Sequence, residues 1–140
     1  MASIESIEGV GVANGKKLRK YGIRSCEALL RACCTKRGRR ATSELTGIGP
    51  SLLLEWANRA DLMRVRGVGS EYSDLLEQSG VDTVKELRRR NASSLTKMMS
   101  GTNGAHIKRT RRRIVRRAPA ESEVARWIQY AKELDPLISH

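Results

Sequence analysis

Three short segments of the chain share the pattern apolar, any residue, Gly, apolar, Gly. They are Ile7–Gly11 (IEGVG), Leu45–Gly49 (LTGIG) and Val65–Gly69 (VRGVG), and we name them hairpins one, two and three. Glycine allows positive φ and lets the backbone come close to a ligand. The amides that open a following helix lie at the positive end of its dipole. Each segment could therefore bind a phosphate oxygen through main-chain N–H groups, without reading base edges.

The residues after each hairpin indicate how well it would hold a phosphate. Four basic residues follow hairpin one: Lys16, Lys17, Arg19 and Lys20. Three acidic residues, which repel phosphate, follow hairpin three: Glu71, Asp74 and Glu77. Pro50, which lacks an N–H donor, follows hairpin two. We therefore expect the main site at hairpin one, formed by Gly9, Val10, Gly11, Val12, Ala13, Lys16 and Lys17. At the other two hairpins a structural turn and a phosphate site stay equally open, and the residues concerned are Gly47, Ile48, Gly49, Gly67, Val68 and Gly69.

Two further segments concentrate positive charge. The first lies around Gly38 and offers three candidate phosphate contacts: Arg37, Arg39 and Arg40. The second has seven basic residues among positions 108–117, and its candidates are Arg109, Arg111, Arg112 and Arg113. Arginine forks match phosphate oxygens, although a solvated or disordered run of charge is the alternative. Residues 100–105 (SGTNGA) are typical of a loop, so we expect this basic segment to order on binding.

The composition narrows the choice of partners. With 27 Lys and Arg against 15 Asp and Glu, the chain carries a formal charge of +12, which points to a polyanion such as nucleic acid or an anionic membrane. A membrane surface is disfavoured because the Arg-rich segment has only Ile107, Ile114 and Val115 as apolar residues and lacks aromatics. No apolar run approaches the roughly 20 residues that span a bilayer. The N-terminus does not resemble a signal peptide, and the three cysteines have no zinc-ligand spacing. We expect reduced thiols, no metal site and a cytoplasmic location, in association with the nucleoid.

The chain also repeats itself. Residues 7–32 align with residues 65–90 after a shift of 58 positions, and the matched pairs include Gly9 with Gly67, Leu18 with Leu76 and Gly22 with Gly80. Further on, Trp56 and Ala60 recur as Trp127 and Ala131. The sequence thus predicts two units, residues 4–63 and 64–137, within one domain that spans 1–140. The second unit carries a basic insertion at about 98–117.

Apolar residues recur at helical spacing along both halves of the chain. One such face is formed by Cys26, Leu29, Leu30 and Cys33. No segment alternates apolar and polar residues in the way of a half-buried strand. The pattern predicts an all-α fold in which the two pseudo-repeated units share one core.

The hairpins and the repeat together resemble the helix-hairpin-helix superfamily. More closely, the segments IEGVG, TGIGPSLLLEWANRADL and VRGVG with GVDTVKEL, and the closing tryptophan helix, are similar to an uncharacterised bacterial domain family built from tandem helix-hairpin-helix motifs. The resemblance covers nearly the whole chain and implies two such units, but it brings no established activity. In the superfamily, hairpin carbonyls can hold a monovalent cation that bridges to a phosphate, and the resemblance implies that such a cation could bind here.

These observations lead to an expectation about function. We expect sequence-independent binding of nucleic acid, with double-stranded DNA preferred and RNA left open, through hairpin amides and the Arg and Lys patches. An enzyme is not expected, because the sequence shows no nucleophile motif and no carboxylates framed by His or Lys. The repeat supplies two hairpin units in one chain, so we expect a monomer. The alternative is a protein–protein interaction module of a larger assembly, which has a protein partner and makes no direct contact with nucleic acid.

Overall fold

The computed structural model of the chain describes residues 2–140. A 3-10 helix spans Ile4–Ser6, and the α-helices are α1 (Gly11–Lys20), α2 (Cys26–Cys33), α3 (Lys36–Thr46), α4 (Pro50–Leu62), α5 (Ser70–Gln78), α6 (Val84–Leu87), α7 (Ala92–Thr110) and α8 (Glu121–Ala131). The described residues contain no strand, and an isolated bridge joins Ser3 to Ser25. The prediction of an all-α fold is confirmed.

The chain folds as two compact units. Unit one comprises the described residues up to Asp61 together with Leu137–His140, and unit two is Leu62–Pro136. Hairpin one leads into α1 of unit one, and hairpin three leads into α5 of unit two. Hairpin two joins α3 to the start of α4.

The helices of unit one bury their apolar faces. The helix α2 buries the four residues of its predicted stripe: Cys26, Leu29, Leu30 and Cys33. The helix α4 adds Leu53 and Trp56, both with no exposed surface, and burying a side chain of this size stabilises the fold by about 1.5–3 kcal/mol. The C-terminal residues join this unit through Ser139, whose N–H donates to the Cys34 carbonyl at 2.8 Å.

The core of unit two forms where α7 packs on α5 and α8. The Trp127 and Tyr72 rings lie 5.0 Å apart between centroids and are tilted by 54°, an arrangement typical of favourable aromatic pairs. Val65 and Val68 of hairpin three are buried in the same core. Their packing ties the hairpin to the helices around it.

One helix in each unit ends with the same glycine cap. Gly22 and Gly80 follow α1 and α5 with φ of +83° and +90°. The residue after each glycine donates its N–H to a carbonyl five residues earlier, at 3.1 Å for Ile23 and 2.9 Å for Val81. This is the left-handed cap that satisfies the carbonyls at the end of a helix, and it occurs at positions 58 residues apart.

The expectation of a loop at residues 100–105 is wrong, because these residues lie inside the 19-residue helix α7. Asn91 caps the start of the helix by accepting a hydrogen bond from the Ser94 N–H at 3.1 Å. The inner face buries three residues at four-residue spacing: Leu95, Met99 and Asn103. Packing of that face outweighs the cost of about 1 kcal/mol that each glycine imposes on a helix.

Candidate functional site

Hairpin one turns the chain from the 3-10 helix into α1. Gly9 and Gly11 have φ of +94° and +69°, values that L side chains rarely adopt. The Val10 N–H donates to the Ile7 carbonyl at 3.2 Å, so this amide is used inside the turn. The helix α1 begins without a side-chain cap and without an acidic residue in its first turn. Two exposed residues of this turn are Val12 and Ala13, and amides at such a position lack acceptors within the helix.

The indole of Trp56 lies against hairpin one. A β-carbon placed on Gly9 would be 3.5 Å from Trp56 Nε1. The Trp56 side chain is buried, and its N–H has no hydrogen-bond partner among the described residues. Buried donors are almost always paired in folded proteins. The Trp56 N–H is therefore a donor next to the hairpin that no protein group uses.

The cations of α1 differ in their partners. Lys16 and Lys17 are exposed and form no ion pair with any residue that the structure describes. Arg19 instead donates from Nε to Oε2 of Glu5 at 2.8 Å, and this ion pair lowers the pKa of Glu5 to about 2. Gly15 makes room for the pair, because a β-carbon there would clash with the Glu5 carboxylate. Lys16 and Lys17 thus remain uncompensated, whereas the charge of Arg19 is offset.

Hairpin two uses most of its polar groups internally. Gly47 caps α3 in the left-handed region, with φ of +77°, and its N–H donates to the Ser43 carbonyl at 2.8 Å. The Ile48 side chain is buried, and its N–H donates to Thr46 Oγ1 at 3.2 Å. The Gly49 carbonyl accepts a hydrogen bond from the first turn of α4. This geometry favours a structural turn over a phosphate site.

Hairpin three has the same turn but a different setting. Gly67 has φ of +93°, and the Val68 N–H donates to a carbonyl three residues earlier at 3.0 Å. Gly69 begins α5 without a side-chain cap, and Glu71 lies in the first turn. A β-carbon on Gly67 would be 3.0 Å from Trp127 Nε1. The hairpin therefore packs closely against α8.

The basic residues at the start of α3 divide into two groups. Arg39 is buried, and its guanidinium donates to the Cys33 carbonyl at 3.0 Å and to the Ser139 carbonyl at 2.7 Å. These bonds give Arg39 a structural role inside unit one, and its buried guanidinium is not offered to a ligand at the surface. Arg37 and Arg40 are exposed and stay candidates.

Residues 111–117, which we call the arm, connect α7 to α8 without regular structure. Their backbone is nevertheless held in place. The buried Asn103 accepts from the N–H groups of Ile114 at 2.9 Å and Val115 at 3.3 Å. The Tyr72 hydroxyl donates to the last carbonyl of the arm at 3.1 Å. The arm is thus an ordered segment and does not need to fold on binding.

The side chains of the arm carry the largest group of exposed arginines in unit two. Four of them have no carboxylate partner within residues 2–140: Arg111, Arg112, Arg113 and Arg116. Arg117 pairs with Glu123 at 3.0 Å. The remaining candidate, Arg109, is exposed in the last turn of α7, and its Nη2 lies 3.3 Å from Nδ1 of His106. Arg111 is the one residue other than glycine in the described chain with positive φ, at +62°.

A cavity of about 410 Å³ opens beside hairpin three. It is lined by Arg66, Gly67, Glu123, Arg126, Trp127 and Tyr130. The sequence did not predict that Arg66 and Arg126 line one cavity, because they lie 60 positions apart and belong to no common motif. The repeat offered one signal that Arg66 is a special position. The 58-residue shift aligns Arg66 with Glu8, so the two hairpins differ in charge at a point where they otherwise match.

The part of the chain that the structure describes offers little evidence for a metal site, a reactive cysteine or a membrane-spanning helix. No group of three or more His, Cys, Asp or Glu side chains there could hold a metal ion. Cys26 and Cys33 are buried, and burial raises the pKa of both thiols, which disfavours the reactive thiolate. No helix among residues 2–140 is both long and apolar enough to cross a bilayer.

The fold and the surface together define an all-α protein with two compact units and a large excess of basic residues. The chain belongs to the family described as "Domain of unknown function (DUF4332)", whose model matches residues 8–134. No curated protein and no solved structure matches the chain. The family description assigns no activity.

Proposed function

We propose that the protein binds DNA without sequence preference, as a helix-hairpin-helix protein does, through main-chain contacts to phosphate and clusters of Arg and Lys. The observation that carries the proposal is the arm, which presents exposed arginines on an ordered backbone. Cations on an ordered segment lose less conformational entropy on binding than cations on a disordered tail. The arm therefore suits a ligand with closely spaced negative charges.

The charge of the arm is not balanced by nearby carboxylates. Among its arginines, only Arg117 forms an ion pair within the described residues, with Glu123. Arg113 donates from Nη1 to the Arg116 carbonyl at 3.3 Å, which leaves its positive charge uncompensated. Guanidinium forks bind phosphate oxygens in a bidentate manner. A phosphate backbone is the partner that would neutralise several of these side chains at once.

Hairpin one provides a separate phosphate contact in the proposal, on unit one. Its support is the uncapped start of α1 and the positive φ of Gly9 and Gly11. Lys16 and Lys17 follow within two turns and are exposed. A helix start of this kind attracts anions through its free amides and its dipole.

The test is fluorescence anisotropy with a labelled DNA duplex of arbitrary sequence, repeated over a range of salt concentrations. The arm variant carries three exchanges: Arg111→Gln, Arg112→Gln and Arg116→Gln. A charge-matched control removes three other exposed cations of unit two, through Lys85→Gln, Arg89→Gln and Lys97→Gln. Each phosphate contact adds about 0.9 to the slope of log K against log salt. We expect the arm variant to lose about two to three units of slope and at least tenfold in affinity, and the control to lose far less.

Four outcomes would count against the proposal. Equal losses in the two variants would show that net charge, and not the arm, governs binding. A clear difference in affinity between two duplexes of the same length but different sequence would refute sequence independence. Failure of the wild-type protein to bind any duplex at low salt would refute DNA binding and favour the protein-interaction alternative. An RNA duplex that competes better than DNA would overturn the preference for DNA.

A further inference from the structure

The cavity beside hairpin three brings together two arginines from distant parts of unit two. Its volume of about 410 Å³ lies in the range of sites for small molecules. Arg66 lines it from hairpin three and Arg126 from α8. Neither guanidinium has a hydrogen-bond or ion-pair partner in the described chain, and both side chains are exposed. Two guanidinium groups without a hydrogen-bond or ion-pair partner among the described residues therefore line one cavity, together with the Glu123 carboxylate.

The single acidic side chain of the lining already has a cationic partner. Oε1 of Glu123 accepts from the Ala120 N–H at 3.2 Å and from Nη2 of Arg117 at 3.0 Å. These bonds, together with the nearby Arg126, hold the pKa of Glu123 below its usual range. Its charge is offset by Arg117, whereas Oε2 has no hydrogen-bond partner in the described part of the chain. This oxygen can accept a hydrogen bond from a hydroxyl or amino group of a ligand.

The cavity also has an aromatic edge. The Trp127 indole N–H has no acceptor among the described residues, and Nε1 packs against Gly67, where a β-carbon would lie 3.0 Å from it. Tyr130 lines the same cavity and is exposed. Exposed tyrosine rings are common stacking platforms for nucleobases. The cavity thus combines cations for a phosphate with a ring for a base.

Unit one has the opposite charges at the matching positions. The 58-residue shift sets Arg66 against Glu8, and the 71-residue shift between the two tryptophan helices sets Arg126 against Glu55. Glu55 forms an ion pair with Arg59 at 2.9 Å. The two hairpins therefore share their turn but differ in charge, and the arginine pair is particular to unit two.

We propose that this cavity binds a nucleoside phosphomonoester, either as a free mononucleotide or as the phosphorylated end of a nucleic-acid strand. Arg66 and Arg126 hold the phosphate, Trp127 donates to one of its oxygens, and Tyr130 stacks on the base. Glu123 accepts from a sugar hydroxyl or a base amine. A phosphomonoester carries a charge of about −1.5 to −2 at neutral pH, so it matches two guanidinium groups better than a diester with a single charge. This site does not depend on duplex binding by the arm.

The experiment follows the indole N–H resonance of Trp127 in ¹⁵N–¹H spectra of the full chain. The ligands are deoxyadenosine monophosphate, deoxyadenosine, inorganic phosphate, and a short single strand with and without a terminal phosphate. We expect the monophosphate to shift the resonance in a saturable manner. Arg66→Gln and Arg126→Gln should each weaken binding at least tenfold, whereas the exposed Arg89→Gln serves as control and should leave it unchanged.

The ligand series separates the two sources of the phosphate. A response to the mononucleotide and not to the phosphorylated strand assigns the site to free nucleotides, and the reverse assigns it to strand ends. The site is refuted if the Trp127 resonance does not move, if deoxyadenosine or the unphosphorylated strand binds equally well, or if inorganic phosphate binds as tightly as the nucleotide. The arm variant with Arg111, Arg112 and Arg116 replaced should retain the response, which keeps this test separate from the duplex assay.

Discussion

The Nε1 atom of Trp127 lies so close to Gly67 that a β-carbon on this glycine would be 3.0 Å away from it. In unit one, a β-carbon on Gly9 would lie 3.5 Å from Nε1 of Trp56. Both glycines also have φ above +90°. Each hairpin is therefore constrained twice, by its own backbone and by the tryptophan beside it, and the constraint is tighter in unit two.

Replacement of these glycines by alanine should destabilise the protein unequally. Gly9→Ala should cost about 1–2 kcal/mol, because of the unfavourable backbone conformation alone. Gly67→Ala should cost about 2–4 kcal/mol, because overpacking against Trp127 adds to that conformational cost. The free energy of unfolding, measured by urea denaturation, provides the comparison.

A third glycine serves as the control for this pair. Gly101 lies in α7 with no neighbouring atom within 4 Å of an added β-carbon. Gly101→Ala should therefore stabilise the protein by about 0.5–1 kcal/mol, in line with helix propensity. Equal losses of stability for Gly9→Ala and Gly67→Ala would contradict the close packing of Trp127 on hairpin three.

Arg111→Gly should separate stability from binding. Arg111 has a left-handed conformation that costs roughly 1–2 kcal/mol for a residue with a side chain, so glycine should raise the free energy of unfolding by about 1 kcal/mol. The same exchange should weaken duplex binding and reduce the salt slope by about 1. Arg112→Gly removes the same charge at a position without positive φ, and it should weaken binding without stabilising the fold. Stabilisation of both variants to the same extent would argue against strain at Arg111.

Asn103→Ala should make the backbone of the arm more mobile. The exchange removes the acceptor for the Ile114 and Val115 N–H groups, and each buried donor left without a partner costs about 1–3 kcal/mol. Amide hydrogen exchange should show faster exchange at these two positions, together with a lower free energy of unfolding. The neighbouring Thr102→Ala, in the same helix, should change neither quantity by more than about 0.5 kcal/mol. Unchanged protection of Ile114 and Val115 in the Asn103 variant would mean that other contacts hold the arm.

The Glu5–Arg19 ion pair should make the stability of the fold depend on pH in the acidic range. The pKa of Glu5 in the folded protein is about 2, below the ordinary value of 4.5. A lowered pKa means that the pair stabilises the fold above about pH 4.5, and that this contribution disappears as the pH falls towards 2. The difference in denaturation midpoint between wild type and Glu5→Gln should therefore shrink over this interval. The control is Glu8→Gln, which removes an exposed carboxylate that forms no ion pair among the described residues. A difference in midpoint between wild type and Glu5→Gln that does not vary with pH would contradict the linkage.

Several features of the fold could be predicted because local chemistry determines them. The all-α class follows from helical spacing of apolar residues, and the apolar face of α2 is buried as expected. Gly22 and Gly80 have the left-handed conformation expected of residues that end a helix. In each case a residue within a few positions supplies the physical reason, so the sequence alone carries the signal.

Other features could not be predicted because they depend on contacts between distant residues. Asn103 lies in a run of small and polar residues that is typical of a loop, and its bonds to the arm exist only in the folded unit. Nothing in the sequence distinguishes Arg39 from its exposed neighbours Arg37 and Arg40. Its hydrogen bonds to two backbone carbonyls form only in the folded unit. Arg66 and Arg126 meet at one cavity only because hairpin three packs on α8.

The anchoring of the arm should also slow its cleavage by proteases. Basic segments such as RRRIVRR are preferred substrates of trypsin-like proteases, which cut exposed and mobile chain most readily. Asn103 and Tyr72 hold this segment in place, so cleavage has to wait for local unfolding. A chain with many exposed arginines can in this way keep them on its surface and still resist degradation.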